Sequence, residues 1–126
     1  MGTKDLGAAE FAPVVGGNEI VLVDFWAAWC RPCRMFAPVY AAAAERHPEI
    51  VFGKADTEAE QELAAAAGIN SIPTLMAFRD GILVFSQPGA LPADALEDVI
   101  AGVAGLDMDA VRKRVAGSSP TVRQDA

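Results

Sequence analysis

The chain has 126 residues, of which 52% are hydrophobic, and a formal net charge of −7 at pH 7. This length suits a single domain that buries a hydrophobic core without disulfide cross-links. The acidic balance excludes general nucleic-acid binding, which requires a basic surface, and 2 cysteines are too few for the disulfide framework of a secreted scaffold.

The first part of the chain predicts a weakly indicated strand at 3–6 and a short helix at 8–16. Residues 20–25, IVLVDF, are apolar and mostly β-branched apart from Asp24, as expected for a strand buried on both faces. The segment 30–47 is rich in Ala, Met, Arg and Glu and predicts a helix.

Two prolines fall in this predicted helix. Pro32 lies in its first turn, where proline is tolerated because the missing N–H has no helical partner there. Pro38 lies inside the helix, where it removes a backbone hydrogen bond, and we therefore expect a kink.

The second half of the chain predicts a strand, a helix, a β-hairpin and another helix. Gly68 is a natural stop for the first of these helices. Asp80-Gly81 between two apolar runs is a strong hairpin signal. The elements are, in order, a strand at 50–55, a helix at 57–67, strands at 71–78 and 82–87, and a helix at 92–104.

This order predicts an α/β fold with a mixed central sheet of four to five strands, flanked by helices on both faces. Helices between successive strands imply parallel crossovers, and the hairpin adds an antiparallel edge. A further short helix, capped by an aspartate, is predicted near 107–115. We therefore expect a single domain over 1–116 and a polar, disordered tail over 117–126.

The two cysteines, Cys30 and Cys33, stand three residues apart at the start of the predicted helix 30–47. Residues i and i+3 share a helix face, with Cβ atoms about 5–6 Å apart, so a small adjustment closes a disulfide. The positive end of the helix dipole stabilises a thiolate. We expect Cys30 to be the more exposed, attacking thiol and Cys33 the resolving one.

Two other interpretations of this pair are open. The cysteines could form half of a zinc site, but a structural site needs four ligands and His47 is the only histidine. They could also be inert core residues, although Trp29, Arg31 and Pro32 beside them are unusual for a core.

At this point the sequence resembles the thioredoxin family. VDFWAAWCRPC at 23–33 is similar to the family's active-site segment, and SIPTLMAFRDG at 71–81 to its cis-proline segment and hairpin. PGAL at 88–91 resembles its last glycine-containing loop, and Pro38 matches its helix-kinking proline. The resemblance covers roughly 8–105, and three motifs in order are far more specific than a lone CXXC.

The resemblance implies a role for each matching residue. Cys30 would attack a client disulfide, and Cys33 would resolve the mixed disulfide. Asp24 matches the family's buried acid, Lys54 its partner, and Pro73 the cis-proline that faces the cysteines. Burial should raise the pKa of Asp24 and suit it to accept a proton near neutral pH. The alternative is a structural carboxylate satisfied by Lys54, and Pro73 could simply begin a strand.

The resemblance also implies a substrate-binding surface made by Trp29, Ile72 and Gly89, to which Arg31 and Pro32 add. Trp29 and Ile72 could instead be ordinary apolar surface residues. Arg31 departs from the family, whose commonest dipeptide between the cysteines is Gly-Pro. A fixed cation there favours a thiolate, and we expect a reduction potential ~10–40 mV less negative than thioredoxin's figure of about −270 mV.

The sequence thus predicts a thiol–disulfide oxidoreductase that reduces protein disulfides and is recharged from NADPH by a thioredoxin reductase. It would need no bound cofactor and no metal, because the cysteines carry the electrons. We expect a cytoplasmic monomer with no membrane or nucleic-acid partner, since the N-terminal residues resemble no signal peptide and the run 20–25 is too short to span a bilayer. The alternatives are a disulfide oxidase or isomerase, or a redox-independent binding module.

Overall fold

The computed structural model describes residues 2–124 and confirms the predicted mixed-sheet α/β fold. The strands in this part of the chain are β1 (Thr3–Asp5), β2 (Ile20–Trp26), β3 (Val51–Asp56), β4 (Thr74–Arg79) and β5 (Ile82–Pro88). The helices are α1 (Ala8–Gly17), α2 (Arg31–Arg46), α3 (Gln61–Ala66), α4 (Ala93–Ala104) and α5 (Met108–Gln124).

The sheet has the strand order β1-β3-β2-β4-β5. β1, β3 and β2 run parallel, as expected when helices connect them, and β4 and β5 form the predicted antiparallel edge. The hairpin turn places both Asp80 and Gly81 at positive φ, of 53° and 81°, which is the backbone that the Asp-Gly pair favours.

β2 lies in the middle of the sheet, and its alternating side chains enter two separate cores. Ile20 and Leu22 pack with α2 and α4, while Val21, Val23 and Phe25 pack on the opposite face, toward α1 and α3. The apolar run IVLVDF is therefore buried on both faces, as predicted. Because β2 carries the chain directly to the cysteine pair, the most buried strand supports the site.

α3 begins four residues later than predicted, at Gln61 instead of residue 57. The carboxylate of Asp56 accepts the backbone N–H groups of Glu58 and Ala59, at 2.9 and 3.4 Å. This side-chain turn competes with the helix for the same N–H donors, so the intervening residues form a turn.

α5 begins at the predicted aspartate cap, since Asp107 accepts the backbone N–H groups of Asp109 and Ala110. The helix extends to Gln124, beyond the predicted end near 115. The tail predicted at 117–126 overlaps this helix, and its last two residues lie outside the described part, so the division of the chain at 116 stays a prediction.

Arg79 of β4 contacts both the end of α4 and the loop before β2. Its guanidinium donates to the carbonyl oxygens of Val103 and Ala104, at 2.8 and 3.1 Å, and to the carboxylate of Glu19 at 3.1 Å. The side chain is only 13% exposed. Arg79 therefore satisfies the last carbonyls of α4 with a charge that the helix dipole favours.

We expect Arg79→Met to lower the free energy of unfolding by about 2–3 kcal/mol, since charge-assisted hydrogen bonds in a partly buried site are lost. Urea unfolding followed by circular dichroism measures this loss. Arg112→Met is the matched control, because Arg112 is 52% exposed in its ion pairs with Asp80 and Asp109 and should cost under about 1 kcal/mol. Equal losses in the two variants would contradict the assigned role of Arg79.

Within the described residues, no helix combines the length and the apolar character that crossing a bilayer requires.

Candidate active site

Cys30 and Cys33 form a disulfide at the N-terminal end of α2, with Cα atoms 5.2 Å apart. Cys30 is the N-cap residue of this helix, with extended backbone angles, and Cys33 lies in the first turn. The predicted three-residue spacing thus brings the two sulfur atoms together at the positive end of the helix dipole.

Both cysteines are nearly covered in this oxidised state. Cys30 is 4% exposed and Cys33 is 2% exposed, so the expected difference in exposure is small. Hydrogen bonding distinguishes them more clearly, because the backbone N–H of Cys33 donates to Sγ of Cys30 at 3.2 Å. An N–H donor and a helix terminus both stabilise negative charge on this sulfur, which favours Cys30 as the thiolate.

Pro73 lies beside the disulfide, and the peptide bond between Ile72 and Pro73 is cis. The carbonyl oxygen of Ile72 lies 3.7 Å from Sγ of Cys30. Gly89, at a φ of 104°, donates its N–H to the carbonyl of Pro73 at 2.7 Å. The backbone of Ile72 therefore lies next to Cys30, Gly89 is hydrogen-bonded to Pro73, and Pro73 precedes β4 rather than simply beginning it.

Asp24 is fully buried in β2, on the face that also carries Leu22. Among the described residues, neither of its carboxylate oxygens has a hydrogen-bond partner. Burial raises the pKa of Asp24 from 3.8 to about 7, and the positive charge of Lys54 lowers it in part. The sequence-based expectation of a raised pKa is met, and the group can exchange a proton near neutral pH.

Lys54 is the register partner of Asp24 on the neighbouring parallel strand β3. Its ammonium group lies over the ring of Trp26, 4.9 Å from the ring centroid, where a cation is attracted by the π-electrons. In the described structure Lys54 makes no hydrogen bond to the Asp24 carboxylate, so it acts on Asp24 only through its positive charge.

Trp29 and Ile72 line a shallow groove of about 230 Å³ next to the disulfide, together with Thr57, Ile69 and Ser71. The side chain of Trp29 is 67% exposed, and its indole N–H donates to Glu58 at 3.2 Å. This exposed ring on the wall of a groove is unlike a scattered apolar residue and suits an apolar docking surface.

Arg31 and Pro32, between the cysteines, are both exposed and occupy the first positions of α2. Pro38 lies within α2, which continues through it. Pro38 acts on the site only through the path of the helix, and the kink expected there stays a prediction. The effect of Arg31 on the reduction potential also stays a prediction.

Sequence reasoning missed three residues around the site. The carboxylate of Glu58 accepts a hydrogen bond from the indole N–H of Trp29. Arg34 donates to the carbonyl of Ala28 at 2.9 Å and so supports the loop that leads into Cys30. Tyr40 is fully buried in α2 and donates to the carbonyl of Gly53 at 2.8 Å. Each contact joins elements that are distant in sequence or belongs to a loop, so no local pattern signals it.

Burial and the nearby Asp24 carboxylate raise the pKa of Tyr40 well above 10.0. Tyr40 therefore stays neutral at the pH at which Asp24 titrates. Asp24 is the group in this core that titrates near pH 7. Within the described range, no three His, Cys, Asp or Glu side chains converge as a metal site requires. The arrangement can hold a thiolate at Cys30, accept a proton at Asp24 and present an extended peptide with a backbone partner at Ile72.

Comparison with known proteins extends this picture. The sequence model of the family described as thioredoxin matches residues 2–102. A Streptomyces coelicolor protein named "Putative thioredoxin 2" is 59% identical over 114 residues, which are 90% of this chain and 85% of that protein. A thioredoxin of Alicyclobacillus acidocaldarius is 42% identical over 102 residues, 80% of this chain and 97% of its own.

Solved structures agree with the fold. A point-mutant thioredoxin from Halobacterium salinarum is similar with a TM-score of 0.75 and 38% identity, over 82% of this chain and 93% of that one. Plasmodium falciparum thioredoxin is similar with a TM-score of 0.74 and 34% identity, over 79% of this chain and 98% of that one. The region matched by the family model contains the sheet, the cysteine pair and Pro73, and it ends before α5.

Proposed function

This chain belongs to the thioredoxin family and is a thiol–disulfide oxidoreductase that acts on disulfide-containing substrates, and from this premise we propose that it is a general protein-disulfide reductase recharged from NADPH by a thioredoxin reductase. The observation that carries the proposal is the Cys30–Cys33 disulfide at the N-terminus of α2, beside the exposed Trp29 and the backbone of Ile72.

The reaction begins with the reduced protein. The Cys30 thiolate attacks one sulfur of a client disulfide; a new S–S bond forms, the client S–S bond breaks, and the first client thiolate leaves and takes up a proton. The N–H of Cys33 and the helix dipole stabilise the attacking thiolate. The groove walled by Trp29 and Ile72 holds the client chain, with the backbone of Ile72 available for strand-like pairing.

Resolution follows within the protein. Cys33 loses its proton to Asp24, and its thiolate attacks Sγ of Cys30. The internal disulfide forms, the mixed disulfide breaks, and the second client sulfur leaves as a thiolate that takes up a proton. The client gains two electrons and the protein loses two. The pKa of Asp24, raised to about 7 by burial, lets it accept the proton and release it in each cycle. The positive charge of Lys54 lowers that pKa in part and so helps to keep it near neutral pH.

The recharging step supplies two electrons to the Cys30–Cys33 disulfide. We propose that they come from NADPH through a thioredoxin reductase, so that the chain itself holds no cofactor. The chain would work as a monomer in the cytoplasm, where such a donor keeps thiols reduced. The proposed cytoplasmic location is supported by the use of a single close cysteine pair, because such a pair in a reducing compartment is more often catalytic than structural.

A coupled assay tests the proposal. The full chain, NADPH, a purified thioredoxin reductase and insulin are mixed, and NADPH consumption is followed by its absorbance. We expect consumption that requires all four components and rises with the concentration of the chain. If dithiothreitol-reduced chain reduced insulin while the reductase could not recharge it, the assigned electron donor would be wrong. If only the oxidised chain acted, by oxidising a reduced protein, the oxidase alternative would replace the proposal.

A further inference from the structure

Arg31 occupies an unfavourable position for a structural residue. The N-terminal end of a helix carries partial positive charge, which favours acidic side chains and disfavours cations. The first turn of α2 contains no acidic residue, and its sequence is Arg31-Pro32-Cys33-Arg34. Two arginines therefore stand where the helix dipole opposes them.

The two arginines differ in their contacts. Arg34 donates to the carbonyl of Ala28 and so has a structural use. Arg31 is exposed and has no ion pair or hydrogen-bonded partner among the residues that the structure describes. A residue that breaks a local rule without a compensating contact is typical of a functional position.

Among the described residues, the charge of Arg31 is unpaired. The docking surface beside the disulfide is apolar, formed by Trp29, Pro32 and Ile72, and the groove residues there carry no charge. Apart from the buried Asp24, the acidic side chain that contacts this surface is Glu58, which accepts the indole N–H of Trp29. The chain as a whole has a net charge of −7, so the positive charge of Arg31 in the first turn of α2 is opposite in sign to the overall charge.

We propose that Arg31 is a specificity-determining residue that selects client disulfides flanked by carboxylates. A client aspartate or glutamate within about two residues of the attacked cysteine would lie near the start of α2, where the guanidinium and the helix terminus both attract it. This inference rests on the proposed function, because it concerns the client that Cys30 attacks.

The test uses three disulfide peptides of one sequence, in which the residues next to each cysteine are Glu, Gln or Lys. The full chain is reduced with dithiothreitol, freed of it by desalting, and mixed with each peptide. The second-order rate constant of peptide reduction is then measured in single turnover by chromatography. The quantity compared is the Glu/Lys rate ratio, because any change in the reactivity of Cys30 itself cancels in that ratio.

We expect Arg31→Gln to lower the Glu/Lys ratio by about two- to fivefold, the effect of one exposed ion pair. Arg31→Lys should keep most of the wild-type ratio, since it keeps the charge. Lys113→Gln, which removes an exposed positive charge on α5, is the matched control and should leave the ratio unchanged. The effect of Arg31→Gln should shrink near 1 M salt, where the Debye length is about 3 Å.

An unchanged ratio in Arg31→Gln would overturn the inference and leave the proposed function intact. An equal fall in Lys113→Gln would also overturn it, because net charge would then be responsible. If the reduced chain cleaved none of the three peptides and did not reduce insulin, the proposed function itself would fail.

Discussion

Replacement of Cys30 by serine is expected to abolish the reduction of insulin by the full chain, by at least about a thousandfold. A serine hydroxyl remains protonated at neutral pH and cannot form a disulfide with the client, so neither half of the exchange takes place. The N-cap position would keep a hydrogen-bond acceptor, because serine is favoured there, and the variant should fold. Insulin turbidity and NADPH consumption both measure the loss.

Cys33→Ser separates the two halves of the reaction. The Cys30 thiolate still attacks, but no second thiol resolves the product, so a mixed disulfide should accumulate on Cys30 and increase the mass of the chain by that of the client fragment. Intact-mass spectrometry with and without reductant detects it. Cys30→Ser is the paired control and should collect no adduct. An adduct on Cys33 in that control would reverse the assigned roles.

Removal of the carboxylate of Asp24 should change the pH dependence of stability. Burial raises the pKa of Asp24 from 3.8 in the unfolded chain to about 7 in the folded one. The folded state therefore binds this proton more tightly, and the stability that Asp24 contributes is complete below about pH 4 and falls as pH rises to 7. Above pH 7 the buried charge destabilises the fold to its full extent.

We therefore expect the stability difference between Asp24→Asn and wild type to shift in favour of the variant by about 3–4 kcal/mol from pH 4 to pH 8. Any constant cost of burying an amide without partners cancels in this comparison. Urea unfolding of the oxidised proteins at several pH values provides the measurement. Asp5→Asn, which removes an exposed carboxylate at the end of β1, is the control for the loss of one negative charge.

The same variant should slow resolution by Cys33, because the proton acceptor is lost. We expect the rate at which the client is released from the mixed disulfide to fall by about tenfold or more near pH 7. The loss should be smaller at high pH, where hydroxide can remove the proton of Cys33. Parallel pH profiles for wild type and Asp24→Asn would contradict the proton-transfer role, and an unchanged pH dependence of stability would show that Asp24 does not ionise in this range.

Much of the fold could be predicted because its signals are local. The β-branched run of β2 indicated a strand buried on both faces, and Asp80-Gly81 indicated a turn that requires positive φ. The start of α3 was misplaced because the carboxylate of Asp56 takes N–H groups that the helix would use. Composition does not distinguish a helix from a side-chain turn that binds the same donors.

The candidate site, like the fold, could be predicted only in part. The three motifs predicted that Cys30, Pro73 and Gly89 belong to one site, and the structure places the carbonyl of Ile72 next to Sγ of Cys30 and joins Gly89 to Pro73 by a hydrogen bond. The contact of Glu58 with Trp29 and the support of the Ala28 carbonyl by Arg34 were not predictable, because each depends on the direction of a long side chain across a loop.

By itself, the sequence determined that two sulfur atoms can join and separate at a helix start, since a three-residue spacing is a property of the helix alone. It also determined that an acid interrupts the central strand. Only the tertiary structure decided the state of that acid: Lys54 lies over Trp26, and Asp24 has no hydrogen-bond partner among the described residues. Desolvation depends on which side chains pack from other strands and helices, and that packing exists only in the folded chain.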